Sequence, residues 1–151
     1  MATISFKYRL FAWLFSLVNI TASYAQNFRV DVHTHVFPAF YKQALLDAGF
    51  PTNKAGNVLT DGFPAPNFTV EGLIYERVNR GYNYSVLSVS SPGVQFLKGQ
   101  AAKDLAHRLN DEMASYITTY PKQLGAFGLL PLPDIQASLD EIKVALHLRN
   151  I

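Results

Sequence analysis

Two histidines separated by one residue carry the clearest chemical signal in this chain. His33 and His35 lie in the segment of residues 28–37, whose alternation of residue types is typical of a β-strand. Under strict alternation, Asp31, His33 and His35 share one face, so both imidazoles can approach one divalent cation at Zn–N distances of about 2.0–2.1 Å. Pro38 ends the strand, because proline cannot donate a hydrogen bond to a neighbouring strand. We therefore predict that His33 and His35 are metal ligands.

Other readings of this histidine pair stay open at this point. Exposed or hydrogen-bonded strand histidines often bind no metal. The chain has no cysteine, which excludes disulfides and thiolate zinc sites, so any metal must be held by histidine or carboxylate side chains. We expect Asp31 to orient or hydrogen-bond a neighbour rather than ligate. His107 and His147 lie in predicted outer helices, away from the strand ends, and are not expected to bind the metal.

Beyond the histidines, the chain alternates helices and strands. Helices are predicted over residues 69–80, 100–119 and 134–146, and strands over residues 84–90 and 124–130. This order predicts an α/β fold in which helical crossovers join parallel strands. Such folds keep their chemistry at the carboxyl ends of the strands. The pair His33 and His35 lies at such an end.

Local signals set the expected ends and buried faces of these helices. Thr69 and Asp134 are predicted N-caps, and Gly81 is expected just past the end of the first of the three helices. Apolar side chains at helical spacing predict the core-facing side of each helix. These are Leu73, Ile74 and Val78; Leu105, Leu109, Met113 and Ile117; and Ile135, Leu139, Ile142 and Leu146.

Residues 39–68 separate the first strand from the next predicted helix. The segment begins with helix-forming composition over residues 39–46, and glycine and proline then break any regular pattern. We interpret the remainder as a long loop, which either walls a substrate pocket or is a mobile surface excursion. Phe37 and Ser90 are predicted to line that pocket. For Ser90 and its neighbour Ser88, ordinary filling of the protein interior is the alternative.

The amino end has the three regions of a secretory signal peptide. Lys7 and Arg9 precede an apolar run over residues 10–18, and small residues then offer a cleavage site before Gln26. The run is too short to span a bilayer comfortably. We predict a signal peptide over residues 1–25 and one domain over residues 26–151, hence a secreted protein. An uncleaved anchor or a mistaken first exon is the alternative, and the latter would give a cytoplasmic protein.

Charge excludes two classes of partner. The chain has 13 basic and 11 acidic side chains, and loss of Lys7 and Arg9 with the leader would leave 11 of each. The sequence has no basic stripe that would indicate binding to nucleic acid or, beyond the leader, to a membrane.

The triplets that begin at Asn67 and Asn83 fit the N-glycosylation pattern. This pattern matters only if the chain enters the secretory pathway.

Three segments carry a resemblance to a known family. Residues 30–38, 85–93 and 127–134 resemble the amidohydrolase-related decarboxylases in order and spacing. This group includes aminocarboxymuconate semialdehyde decarboxylase, and the similarity is closest to the fungal 6-methylsalicylate decarboxylases. The resemblance implies a (β/α)₈ TIM barrel, of which this chain would carry the first three strand–helix units. It also implies a divalent metal, zinc in most members, with His33 and His35 as ligands.

The same resemblance implies what a full enzyme needs in addition. The third histidine ligand, the metal-binding aspartate and the catalytic histidine belong to later strands of the family's barrel. The family's substrate-binding arginine has no counterpart over residues 39–68. Because a partial barrel leaves open strand edges, we expect this chain to aggregate or to be poorly ordered when it is alone, and association with copies of itself is a further expectation.

The expected activity is metal-dependent decarboxylation, a carbon–carbon lyase reaction, of a small aromatic acid such as 6-methylsalicylate. The resemblance implies a role in secondary metabolism. Relative to the family's full barrel, we expect this chain to be shortened and its activity to be impaired. Two alternatives stay open. One is a non-catalytic remnant, and the other is a metal-dependent hydrolase built on the same barrel.

Overall fold

The computed structural model describes residues 27–145. The predicted leader, Leu146 and His147 lie outside the described residues. Between residues 27 and 145, no helix is both long and apolar enough to cross a membrane. The elements, in chain order, are β1 (Val30–His35), α1 (Ala39–Asp47), β2 (Leu59–Thr60), β3 (Phe63–Pro64), α2 (Val70–Asn79), β4 (Tyr84–Ser88), α3 (Gln100–Thr119), β5 (Leu124–Ala126) and α4 (Ile135–Val144).

The three longer strands form one parallel sheet in the order β1-β4-β5. Helices α1 and α2, with the short strands β2 and β3, lie between β1 and β4, and α3 connects β4 to β5, which confirms the predicted helical crossovers between parallel strands. Because the strands are parallel, their carboxyl ends lie at one edge of the sheet. His35, the last residue of β1, is therefore paired with Ser88, the last residue of β4.

The pairing of β1 with β4 contains one irregularity. Asp31 pairs with Ser85 and His35 pairs with Ser88, so β1 advances four positions while β4 advances three. The extra residue is a β-bulge, which breaks the alternation of faces. Paired residues of parallel strands share a face, and Ser85 and Ser88 lie on opposite faces of β4. The prediction that Asp31 shares the face of His35 is therefore wrong.

The bulge also explains which side chains of β1 are covered. Thr34 and Val36 are buried, whereas Val32 is 63% exposed and Val30 is also exposed. A strictly alternating strand would have buried all four on one face. The apolar side chains in this part of the chain are thus covered only beyond the bulge.

Two hydrophobic clusters hold the helices on the sheet. One joins α1 to α3 and the β2–β3 hairpin, and it includes Tyr41, Leu45, Val58 and Leu109. The other lies between α3 and the sheet. Leu105, Leu109 and Met113 are buried as their spacing predicts, and a fully buried leucine contributes about 1.5–3 kcal/mol through burial.

The segment between α1 and α2 is a packed hairpin rather than an irregular loop. Leu59 and Thr60 of β2 pair with Pro64 and Phe63 of β3. The turn between the strands places Asp61 and Gly62 at φ values of 50° and 83°. Val58 and Ala65 are buried in the cluster that contains α1. The predicted irregular loop therefore contains a hairpin that packs on α1, and its mobility stays a prediction.

Helix α4 presents a different face to the core from the one predicted. Ile135 and Leu139 are 71% and 48% exposed, and Ile142 is exposed as well. The buried face instead carries Ala137, Ser138 and Glu141. Glu141 accepts a hydrogen bond from Asn110 of α3 at 2.8 Å. Because a buried carboxylate must keep its hydrogen bonds, this contact fixes the rotation of α4.

The predicted N-caps and the predicted helix end at Gly81 are confirmed. The side chain of Thr69 accepts a hydrogen bond from the Gly72 N–H at 3.0 Å, and Asp134 accepts from the Ala137 N–H at 2.9 Å. Gly81 has a φ of 73° just past α2, as expected for a helix end. Val78, however, is 59% exposed and does not face the core.

Candidate metal centre

His33 and His35 lie side by side at the carboxyl end of β1. Their ring centroids are 4.6 Å apart and the ring planes meet at 68°. Since a Zn–N bond is about 2.0–2.1 Å, two imidazoles on one ion have ring centres within roughly 6 Å of each other. The separation of the two rings therefore fits a shared cation, and neutral imidazole nitrogen is a donor suited to zinc and other divalent transition metals.

Asp31 supports the histidine pair from the backbone. Its Oδ1 accepts a hydrogen bond from the main-chain N–H of His33 at 3.0 Å. This contact occupies the backbone donor at the bulge. Asp31 thus hydrogen-bonds a neighbour, as we expected.

Ser88 holds the second histidine from the neighbouring strand. The Nδ1 of His35 is 2.9 Å from the Oγ of Ser88. In the sequence Ser88 was only a candidate pocket residue, and the contact depends on the pairing of β1 with β4. The sequence signal for it is that both residues lie near the carboxyl ends of predicted strands that the βα order makes parallel.

The electrostatics around His35 favour its neutral form. Burial lowers the pKa of His35, the nearby His33 lowers it further, and the backbone of Ser88 opposes the change. A neutral imidazole is the form that ligates metals, because a protonated ring has no free lone pair. His35 is therefore ready to ligate near neutral pH.

The described residues supply only part of a metal site. Within residues 27–145, no group of three or more histidine, cysteine or acidic side chains could hold a metal ion. His107 lies on α3, with its Nδ1 3.1 Å from Glu141 and its Nε2 3.6 Å from Asp111, away from the strand ends as predicted. Catalytic zinc sites normally have three protein ligands, so His33 and His35 fit as two of the ligands required.

A cavity of about 350 Å³ adjoins His35, a volume within the range of small-molecule sites. Its walls come from the segment before α2 and from α2 itself. Lys42 on α1 ties this segment down by donating to the carbonyl of Pro66 and to the Oδ1 of Asn67, at 3.2 and 3.1 Å. The lining residues besides His35 are Pro66, Asn67, Phe68, Thr69, Gly72, Leu73, Tyr75 and Glu76.

The two predicted pocket residues lie elsewhere. Phe37 is only 5% exposed and packs against Tyr41 with ring centroids 5.8 Å apart. Ser90 is half-buried beyond β4, and its carbonyl accepts from the Gly93 N–H at 2.9 Å. Neither residue lines the cavity beside His35. Their role at a substrate stays a prediction, and Phe68 and Tyr75 are the aromatic side chains that the sequence did not indicate.

Comparisons with known proteins place this geometry in context. No protein-family model matches the chain. The 6-methylsalicylic acid decarboxylase acuB of Aspergillus aculeatus is 32% identical over 122 residues, which are 78% of this chain and 34% of that protein. A solved amidohydrolase II has a TM-score of 0.72 and 30% identity, with 80% of this chain and 37% of that one covered.

A dihydroxybenzoic acid decarboxylase from Polaromonas sp. JS666 shares the fold at 19% identity, with a TM-score of 0.63 over 83% of this chain and 37% of that one. Its structure contains manganese and the inhibitor 2-nitroresorcinol. The chain thus spans about a third of the length of the proteins it matches. The predicted resemblance to amidohydrolase-related decarboxylases is confirmed, as is the fold of a partial (β/α)₈ barrel.

Proposed function

We propose that this chain carries the histidine half of the metal site of a decarboxylase that acts on a small aromatic acid. The observation that carries the proposal is the pair His33 and His35, whose rings lie 4.6 Å apart at the carboxyl end of β1. The similarity to a 6-methylsalicylic acid decarboxylase supports this reaction class. The similarity covers only about a third of that protein. Activity is therefore proposed to need residues beyond the described half-site.

The metal is proposed to be divalent. Its imidazole ligands suit zinc, and zinc is the ion that the family resemblance implies. Manganese in the dihydroxybenzoic acid decarboxylase supports a divalent ion without supporting zinc in particular. A cation held there would supply Lewis acidity for the oxygens of an aromatic acid.

The residues of this chain have separate tasks in the proposed reaction. His33 and His35 would hold the cation through their ring nitrogens. The cavity beside His35 offers Phe68 and Tyr75 to an aromatic ring, and aromatic pairs gain about 0.5–1.5 kcal/mol beyond area burial. The proton that replaces the carboxylate must come from a general acid, which the family resemblance assigns to a later strand.

The substrate is proposed to be a hydroxylated benzoic acid such as 6-methylsalicylate, in secondary metabolism. The cavity of about 350 Å³ is at the small end of the ligand-site range, which suits one substituted ring. A non-catalytic remnant is the second candidate, because the part of the chain described here offers no third metal ligand.

The location of the protein is a separate proposal. We infer that residues 1–25 direct the chain to the secretory pathway and are then removed. Sequencing of the mature amino terminus tests this, with Gln26 as the expected first residue. An intact Met1 with cytoplasmic recovery would contradict secretion.

The reaction is tested by release of carbon dioxide from 6-methylsalicylate by the full chain, with Zn²⁺ or Mn²⁺ added. The double variant His33→Ala/His35→Ala is the negative control, and a panel of esters and amides tests hydrolysis in parallel. Metal-dependent carbon dioxide release that the double variant lacks supports the proposal. Metal-dependent hydrolysis without carbon dioxide release would contradict it, and the absence of any reaction would favour the non-catalytic remnant.

A further inference from the structure

Ser88 is the polar side chain that contacts a proposed metal ligand from another strand. Its Oγ lies 2.9 Å from the Nδ1 of His35, and the two residues are paired across β1 and β4. The main chain at this point is fixed as well, because the carbonyl of Ser88 accepts from the Val36 N–H at 2.9 Å. The serine hydroxyl is therefore held beside the ring by the sheet itself.

The direction of this hydrogen bond decides what His35 can do. A serine hydroxyl can donate or accept, and a neutral imidazole has one N–H and one bare nitrogen. If the Nδ1 carries the proton, Ser88 accepts and the Nε2 keeps a free lone pair. If the Nε2 carries the proton, Ser88 donates and the Nε2 cannot ligate. Metal binding at the Nε2 thus requires the arrangement in which Ser88 accepts.

We propose that Ser88 is the positioning residue of His35, which accepts a hydrogen bond from the Nδ1–H and so presents the Nε2 to the cation. The inference rests on the proposed function, since it concerns the same half-site. Partners of this kind fix the tautomer and orientation of metal-bound histidines, and their loss costs about 10–100-fold in metal affinity.

The strand itself supplies a matched control. Ser85 lies on β4 as well, three positions earlier and on the opposite face. It is fully buried, and its Oγ has no hydrogen-bond partner. Ser85→Ala therefore removes the same atom from the same strand without touching His35.

The test uses the full chain and two readouts. Titration with Zn²⁺ gives the affinity, and ¹⁵N imidazole NMR of the metal-free protein gives the tautomer of His35. Ser88→Ala and Ser88→Val should weaken Zn²⁺ binding by about 10–100-fold and should lower the fraction of His35 with a proton on the Nδ1. Valine has the shape of threonine without the hydroxyl, and its side chain offers no acceptor, so Ser88→Val against Ser88→Thr separates acceptance from packing.

Ser88→Thr keeps the hydroxyl and should retain most of the affinity and the tautomer. Ser85→Ala should leave both readouts unchanged. His33→Ala should abolish Zn²⁺ binding and leave the tautomer of His35 as it is in the unsubstituted chain.

The outcomes separate the inference from the proposed function. If His33→Ala abolishes Zn²⁺ binding while Ser88→Ala and Ser88→Val change neither readout, the positioning role is overturned and the metal site stands. If the unsubstituted chain binds no Zn²⁺, the proposed function fails, and an unchanged tautomer in Ser88→Val overturns the positioning role independently. If Ser88→Ala fails to fold by circular dichroism, the comparison is Ser88→Thr against Ser88→Val, where equal affinity and equal tautomer would also overturn the positioning role.

Discussion

Asp31 accepts a hydrogen bond from the main-chain N–H of His33, with Oδ1 3.0 Å from the nitrogen. β1 carries one residue more than β4 between Asp31 and Thr34, so this hydrogen bond lies within the irregular stretch. The carboxylate therefore supports the irregular backbone that brings the imidazoles of His33 and His35 together. Bulges next to functional sites commonly redirect a side chain in this way.

We expect Asp31→Ala to weaken metal binding without removing a ligand. Loss of one backbone hydrogen bond costs about 0.5–1.5 kcal/mol, and the same loosening should appear as a several-fold weaker Zn²⁺ affinity by calorimetry. Asp31→Asn retains a side-chain oxygen acceptor and should restore most of the affinity. Equal weakening by both variants would instead indicate that the charge of Asp31, not its hydrogen bond, matters.

The anchor between α3 and α4 gives a second prediction. Asn110 is fully buried, exchanges hydrogen bonds with the main chain of Leu129 at 2.7 and 2.9 Å, and donates to Glu141 at 2.8 Å. Asn110→Ala removes all three hydrogen bonds, and a buried group left unsatisfied costs about 1–3 kcal/mol. Urea unfolding at low protein concentration should show a large drop in the midpoint.

Asn79→Ala is the control for Asn110→Ala, because Asn79 is exposed at the end of α2. It should change the unfolding midpoint little. Similar midpoints for Asn110→Ala and Asn79→Ala would show that the network does not hold α4 in place.

The apolar side of α4 predicts self-association. Ile135, Leu139 and Ile142 are exposed together, and exposed apolar patches are sites of association or aggregation. Ile135→Lys/Leu139→Lys should shift the chain towards monomer in analytical ultracentrifugation, with little effect on the unfolding midpoint, because both side chains already face solvent. Gln136→Lys adds a charge to the same helix outside this face and serves as the control. A monodisperse monomer for the unsubstituted chain would contradict the prediction.

Much of this fold is readable from local sequence signals. The caps at Thr69 and Asp134 and the buried stripe of α3 depend only on residues close in sequence, and all three were predicted. The bulge in β1, the rotation of α4 and the contact of Ser88 with His35 depend on pairings between distant segments. No glycine or proline in β1 signals the bulge. In α4 the spacing of the apolar residues predicts one buried face, and the burial of the opposite face around Glu141 follows only from its contact with Asn110.

The cap of α4 gives a pH dependence. The N–H of Ala137 is the main cause that lowers the pKa of Asp134, and Lys103 lowers it further. A carboxyl whose pKa is lower in the folded state stabilises the fold above its unfolded pKa of about 3.9 and loses that effect as pH falls through the folded value. Helix content and melting temperature should therefore fall in this acidic window.

Asp134→Asn is the matching variant for this acidic window. Asparagine can still cap the helix through its side-chain oxygen, but it does not titrate. The variant should show a shallower acid dependence than the unsubstituted chain. Identical acid profiles would rule out Asp134 as a contributor.

The metal content of the purified full chain is the most direct test of a site built on His33 and His35. The protein is equilibrated with Zn²⁺ or Mn²⁺ and dialysed, beside His33→Ala, His35→Ala and the control His107→Gln, which alters a histidine of the outer helix. We expect bound metal in the unsubstituted chain and in His107→Gln, and its loss in His33→Ala and His35→Ala. Equal metal content in all four proteins would contradict a site built on His33 and His35.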